Sequence, residues 1–452
     1  MDNSRVIHNT LGEGRLIAKH NGGRLWEVAF SGGQKYVLSG KSFEAAATLT
    51  VPAAHSEQFY RRRTLEALRM GIVPLENVSD LTIGLEQEAG GLDRALKRTI
   101  EHGGDVMAII ADYGFGKSHF IELAARKALE KNFIVTVASL DLVEVPPAKA
   151  REIYRSLIRS LRYSDTDARG LGHLLRRAVE NPAVIHQFAA ARTLEACPLS
   201  AALLALCDCS SQTAFDDVID WISGTVVNPS AESKSCLKKP PKLYVTGEIA
   251  RQYSYLLSGI SLLATLLGYS GLATFIDESE HYSLLKAAQR GRADSFFQSM
   301  IYAAVGPDST RIDVASIPTH LRADYPPAFD SPAHLFFLFA TTDSEDRMPL
   351  ETWLIPSQCV RLDDRFLKED ILKFSKVVLR DHGTAYSYVP SAERYKAFVE
   401  NLSALLSRAL DQHRINLRQL IQMVVTVCDL LFLHPDYAPE TLIAEVRVGL
   451  GL

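Results

Sequence analysis

The sequence predicts an α/β protein with a helical insertion and a helical C-terminal region, preceded by a small all-β barrel. Three observations lead there. An apolar run, Val106-Met-Ala-Ile-Ile110, enters a glycine-containing turn and then a helix. Two further apolar runs, Leu272-Ala-Thr-Phe-Ile276 and His334-Leu-Phe-Phe-Leu-Phe-Ala340, each end abruptly on polar residues. In residues 1–50, Trp26, Val28 and Phe30 alternate with Glu27 and Ala29, the period-two pattern of a half-buried strand. Glycines at Gly12, Gly14, Gly22-Gly23 and Gly32-Gly33 mark turns between such strands.

The 452 residues suggest two or three domains. With 47 % hydrophobic and 23 % charged residues, the chain is neither disordered, collagen-like nor a small disulfide scaffold. A formal net charge of −4 argues against a surface that binds nucleic acid everywhere, and leaves room for a local basic face. The six cysteines lack any C-x-x-C pair, and the spacing Cys207-Asp-Cys209 is a poor zinc signature, so they read as reduced structural thiols. The N-terminus has no apolar signal core, which predicts a cytoplasmic protein. Residues 256–276 run without a charge but split at Gly268-Tyr-Ser-Gly271, and so read as buried helix, turn and strand rather than a membrane span.

From Ser56 the pattern turns helical, with Tyr60-Arg-Arg-Arg63 leading into Leu65, Leu68 and Met70. A break at Gly71 and Pro74 follows, and then Leu85, Leu92, Leu96 and Ile100 trace a second helix. The strongest signal comes next, in Ala111-Asp112-Tyr113-Gly114-Phe115-Gly116-Lys117-Ser118-His119. Strand, glycine turn, Lys-Ser and helix form the arrangement that cradles phosphates with backbone N–H groups at a helix N-terminus. Gly114 and Gly116 let the chain curl around an anion, Lys117 reaches the β/γ-phosphates, and the Ser118 hydroxyl ligates Mg²⁺. The usual first glycine of the motif is Ala111 here, at a position that closes the strand and needs a small side chain.

The run 272–276 delivers Asp277-Glu278 at its C-terminal end, where ligands bind in open α/β sheets. Asp277 would hold Mg²⁺, directly or through water, and Glu278 would act as general base. The run 334–340 ends in Thr341-Thr342-Asp343, where a hydroxyl would orient the lytic water. Arg418 lies among apolar neighbours in Ile415-Asn-Leu-Arg-Gln-Leu-Ile421 and calls for an anionic partner, either ATP or a structural carboxylate.

Between Ser118 and Asp277 lie about 160 residues, far more than a minimal core needs. Residues 146–245 read as mostly helical, with Cys207–Ser211 and Asn228–Pro241 as loops. Arg151, Arg155 and Arg159 recur every four residues opposite Ile153, Leu157 and Leu161, and Arg176-Arg177 add charge. Such a stripe either touches DNA phosphates or is a solvated helix face.

Phosphate loop, Asp-Glu strand, Thr-ended strand and a late helical Arg, in that order, resemble a P-loop AAA+ ATPase of the origin-recognition-like branch. Closer still, Tyr60-Arg-Arg-Arg63, Gly71-Ile-Val-Pro74, Ala111-Asp-Tyr-Gly-Phe-Gly-Lys-Ser-His-Phe120 and Asp277-Glu278 look like the ATP-binding proteins of BREX and related phage-defence systems. The resemblance implies ATP and Mg²⁺ as cofactors and residues 112–119 as nucleotide contacts. It further implies Ser118 and Asp277 as metal contacts, Glu278 as base, Thr341 or Thr342 as first sensor and Arg418 as second sensor. An arginine finger is expected from Arg361 or Arg347, as is a homo-oligomer on ATP binding. The string Val6-Ile-His-Asn-Thr-Leu-Gly-Glu-Gly-Arg-Leu resembles the opening of Tudor-like barrels, which bind a protein partner or sometimes nucleic acid.

The expected organisation is a barrel at 1–50, a helical linker at 51–83, an AAA+-like core at 84–358 with the insertion at about 146–245, and a helical lid at 359–452. Three functions stand side by side: an ATPase coupling turnover to assembly or DNA surveillance beside a helicase-type defence partner, an ATP-dependent interaction switch with little turnover, and a DNA-loading factor in replication or recombination. Any duplex DNA contact would be confined to local basic faces.

Overall fold

The computed structural model describes residues 5–8, 12–30, 35–39, 56–74, 77–191, 197–225, 230–237, 243, 250–319, 325–362, 368–388, 392–412, 414–434 and 438–449. The Gly32-Gly33 turn and part of the loop expected at 228–241 lie outside them. The chain divides into two compact units, one of residues 1–84 with 364–452 and one of residues 85–363.

The first unit begins with β1 (Arg5–His8), β2 (Gly12–His20), β3 (Leu25–Phe30) and β4 (Lys35–Ser39), an antiparallel sheet in that order. Its core is Leu16, Val28 and Leu38, with Val6, Trp26 and Phe30 packed against them. The alternation in 26–30 thus marks one covered face. Helix α1 (Glu57–Arg69) starts at Ser56, whose side chain accepts from the N–H of Phe59.

The second unit carries the site. Helix α2 (Glu86–His102) leads into β5 (Gly104–Ala111), then α3 (Lys117–Glu130) and β6 (Ile134–Ser139). The buried stripe of α2 is Leu92, Ala95, Leu96 and Thr99. Ile100, expected on that stripe, is 41 % exposed, because the stripe turns away from it after Thr99. Among the described residues six helices follow: α4 (Ala150–Arg159), α5 (Leu171–Val179), α6 (Pro182–Ala191), α7 (Pro198–Asp208), α8 (Gln212–Ile222) and α9 (Ala231–Cys236). Helix α9 falls in the segment expected to be loop. Its cap is Ser230, whose side chain accepts from the N–H of Ser233.

Helix α10 (Ala250–Leu266) and β7 (Leu272–Asp277) replace the uncharged 256–276 run, with the turn between them at Gly268 and Gly271. No helix among the described residues is long and apolar enough to cross a membrane. Helix α11 (Ala287–Val305), β8 (Leu335–Thr342), the short α12 (Leu350–Trp353) and β9 (Cys359–Arg361) complete the unit. Its sheet is parallel throughout, in the order β6-β7-β8-β5-β9. Covered on both faces, its strands are continuous apolar runs, every residue of β7 being buried. The fold is therefore mixed α/β, a five-stranded parallel sheet beside an antiparallel N-terminal sheet.

The expected basic stripe of α4 is largely neutralised from within. Glu152 accepts from Arg151 at 2.6 Å and from Arg155 at 2.7 Å, which leaves Arg159 as the exposed cation. Arg177 bonds Asp165 at 2.8 Å, and the Arg176 guanidinium lies 4.2 Å from the centre of the Phe215 ring.

The chain returns to the first unit as α13 (Lys368–Tyr386), α14 (Ala392–Asp411), α15 (Leu417–Leu433) and α16 (Pro439–Gly449). Helix α1 packs on α13 and α15 through its arginines. Arg61 bonds the buried Asp381 at 2.8 Å, Arg62 donates to the Ala385 carbonyl, and Arg69 bonds Asp429. Arg418 departs from expectation. The buried face of α15 is Leu420, Val424, Val425, Val427, Cys428 and Leu431, and Arg418 stands off that stripe in the exposed first turn. Burial therefore does not oblige it to find an anion. Its aliphatic stem lies against Gly71, where a Cβ would come within 2.9 Å of it.

Candidate nucleotide-binding site

The site assembles at the carboxyl edge of the parallel sheet. Ala111 is the last residue of β5, paired in register with Thr342 of β8, and its φ is not positive. A glycine is therefore unnecessary where the usual motif has one. Gly114 and Gly116 do take left-handed conformations, with φ of +89° and +81°. Gly116 caps α3, whose first turn holds Lys117, Ser118 and His119, so the N–H end of that helix dipole opens onto the loop.

Lys117 is 8 % exposed and folds back on its own loop, donating to the Ala111 carbonyl at 3.2 Å and the Asp112 carbonyl at 3.1 Å. Burial lowers its pKa, while the charges of Glu280, Asp277 and Asp112 oppose that shift. Asp112 and Ser118 are exposed, Tyr113 is 68 % exposed, and Gly114, Phe115 and Gly116 are half-buried. The half-buried His119 has its pKa pulled down to about 4 by desolvation, so it is neutral at pH 7.

Asp277 ends β7, beside Ser139 of β6. Its carboxylate accepts through Oδ1 from the Glu278 N–H at 2.9 Å, and the Ser118 hydroxyl acts on it from the loop. Burial raises its pKa, those hydrogen bonds lower it, and the charges of Glu278 and Glu280 raise it again. Glycine loop and acid pair, about 160 residues apart in the chain, thus come to the same edge of the parallel sheet. Glu278 is held at φ 55°, a left-handed conformation unusual for a side-chain-bearing residue, and its carboxylate stands 3.8 Å from His281.

Both threonines of β8 lie at the same edge. Thr341 pairs in register with Ile110 and is fully buried, and neither Thr341 Oγ1 nor Thr342 Oγ1 has a hydrogen-bond partner among the described residues. Successive strand residues face opposite sides of the sheet, so the two hydroxyls serve different faces. Arg347 and Arg361 both grip Asp343 and Glu351, with Arg361 Nη2 at 3.0 Å from Glu351 Oε1. Each finger candidate is therefore paired within its own chain. Arg418 belongs to the first unit.

One acid escaped the sequence reading. Glu280 follows in the turn Ser279–Leu284, half-buried, and its charge acts on both Lys117 and Asp277. The pattern Asp277-Glu278-Ser-Glu280 held a hint, a second acid two residues on.

The residues suit Mg²⁺, since the Ser118 hydroxyl and the Asp277 carboxylate, both hard oxygen donors, belong to the same edge of the sheet and act on each other. No cluster of three or more His, Cys, Asp or Glu side chains able to hold a metal occurs among the described residues. A cation here would depend on substrate oxygens as well, as Mg²⁺ commonly does.

Sheet, loop and acid pair are consistent with an ATP-binding domain. Residues 57–182 match the family model of the BREX system ATP-binding protein BrxC/D. That stretch holds the arginine-rich helix and the whole phosphate loop, and there the chain is similar to the BREX ATP-binding proteins as its sequence predicts. No curated protein matches the chain.

Proposed function

We propose that this chain is a Mg²⁺-dependent ATPase of the AAA+-like kind, acting in a bacterial phage-defence complex. The similarity of residues 57–182 to a BREX ATP-binding protein supports an ATP-binding role in phage defence. What supports hydrolysis is the Asp277-Glu278 pair at the carboxyl end of β7, on the same edge of the parallel sheet as the loop that follows β5, because that pair lies outside the matched segment. The strand order supports the AAA+-like reading by setting β5 between the threonine strand and the edge strand β9.

Gly114 to Ser118 offer backbone N–H groups to the phosphates, and Lys117 exchanges its two carbonyl acceptors for phosphate oxygens. Ser118 and Asp277 hold the cation, which when bound neutralises phosphate charge. Glu278 takes the proton of the attacking water, and the hydroxyl of Thr341 or Thr342 orients that water. Arg418 keeps the second-sensor role that the resemblance gives it. Arg361 or Arg347 would serve a neighbouring copy after release from Asp343 and Glu351. The N-terminal four-stranded sheet, read as a Tudor-like barrel, would dock a helicase-type partner. Duplex DNA, if bound, would meet local cations such as Arg159.

The test is ATP turnover with and without duplex DNA for the wild type, Lys117→Ala and Glu278→Gln. Turnover lost in both variants supports the reading. A wild type that binds ATP and turns none over in either condition overturns hydrolysis and leaves an ATP-dependent switch.

A further inference from the structure

The glycine loop after β5, the turn Ser279–Leu284 after the acid pair and the loop after β8 all reach the carboxyl edge of the parallel sheet. Hydrogen bonds join them. The Asp343 N–H donates to the Ala111 carbonyl at 3.2 Å, the same oxygen that accepts from Lys117. Arg290, near the start of α11, ties the same loop to the turn. Its Nη2 donates to the Ser283 carbonyl at 2.9 Å and its Nε to the Leu285 carbonyl at 3.1 Å, while its Nη1 bonds Asp346 Oδ1 at 3.1 Å. The guanidinium also lies 5.8 Å from the centre of the Tyr282 ring, whose hydroxyl donates to Asp294 at 2.7 Å.

Every nitrogen of this guanidinium is thus engaged, two on the end of the turn and one on the loop that follows Thr341 and Thr342. Glu278 caps the other end of that turn, and its carbonyl accepts from the His281 N–H at 3.2 Å. A left-handed backbone at a residue bearing a side chain persists only where its surroundings hold it, so what fixes the turn also fixes Glu278. The Arg290–Asp346 pair is open to water, with 31 % and 70 % of the two side chains exposed, and a pair so placed adds little to stability. What it supplies is a fixed spacing between the turn and the loop. We propose that Arg290 is a positioning residue of the hydrolytic site: through Asp346 it fastens the turn that begins at Glu278 to the loop after Thr341 and Thr342, so that base and threonine hydroxyls keep one geometry. This rests on the hydrolysis reading above and adds to it a residue that acts through Glu278.

The experiment measures ATP turnover and the affinity of a fluorescent ATP analogue in Mg²⁺, using the full chain. Arg290→Gln is expected to lower kcat about tenfold or more while KM and analogue affinity stay within about twofold of the wild type. Arg290→Lys keeps the charge but loses the planar fork, and should restore little of that kcat. Asp346→Ala, at an exposed side chain whose loss leaves folding intact, should lower kcat severalfold with the urea midpoint unchanged. Combined with Arg290→Gln, it should lower kcat no further. Full kcat in Arg290→Gln or in Asp346→Ala overturns the proposal. So does an Arg290→Gln variant whose kcat, affinity and urea midpoint fall together, or a double variant whose losses multiply. A wild type that binds the analogue and turns over no ATP would overturn the hydrolysis reading itself, and the positioning role with it.

Discussion

Lys117 Nζ lies 3.2 Å from the carbonyl oxygen of Ala111, the residue that stands where the phosphate-loop motif usually begins with glycine. The acceptor is backbone, so the alanine side chain costs the contact nothing. Lys117→Ala removes the only cation of the loop while leaving β5 and its register untouched. ATP turnover should fall by about a hundredfold or more, with a parallel loss of nucleotide affinity by fluorescence titration. Unchanged turnover would place the reaction elsewhere.

Gly116 has φ +81° at the cap of α3. Alanine there must take a left-handed conformation, at a cost of about 1–2 kcal/mol. Gly116→Ala should lower the denaturant midpoint of the second unit and weaken nucleotide binding together. Ala111→Gly, at an ordinary strand position, should weaken binding little.

Thr341 Oγ1 is buried without a partner, a state that itself lowers stability. Thr341→Val should therefore fold as well as the wild type or better, by up to about 1 kcal/mol, while ATP turnover drops. Gained stability with full turnover would show that Thr341 orients no water.

Asp429 joins Arg69 to the buried His382 through Nε2 at 2.9 Å, and Arg69 reaches Tyr386 at 3.1 Å. The Asp429 pKa is lowered by these partners against the effect of burial. Asp429→Ala takes this acceptor from the half-buried Arg69 guanidinium, leaving it Glu66 and Tyr386, and should cost about 1–3 kcal/mol. Urea unfolding of the whole chain should show this loss while the nucleotide affinity of the second unit holds.

His119 has a folded pKa of about 4 against an ordinary 6.5. The unfolded chain takes up its proton first, so the stability contributed by this group is whole above pH 6.5 and is lost as pH falls towards 4. NMR of the ring should show it neutral at pH 5. His119→Gln should flatten the stability profile between pH 6.5 and 4. A ring that titrates near 6.5 contradicts its desolvation.

The glycine turn with its helix, the three strands and the acid pair at a strand end were legible because each is a local pattern: an apolar run, a glycine turn, a polar end. The arginines of residues 60–63 carried the family resemblance without revealing their work. Two of them fasten α1 onto α13, a pairing across some three hundred residues that no window of sequence displays. The α4 stripe looked cationic because periodicity counts charges on one face and does not see Glu152 reach both arginines. Arg418 looked buried because its sequence neighbours are apolar, whereas the helix turns them to one side and Arg418 to the other.

By itself the sequence determined the chemistry on offer: a lysine and a serine at a helix start, an Asp-Glu pair and two threonines at strand ends. Backbone geometry and hydrophobic runs act over a few residues, and a few residues suffice to read them. Only the tertiary structure decided which groups meet. It brought Asp277 to the edge of the sheet where the glycine loop lies, left Glu278 half exposed, and bound Arg347 and Arg361 to Asp343 and Glu351. Those outcomes depend on strand order and on the curvature of one turn, which follow from packing the whole core rather than from any local pattern.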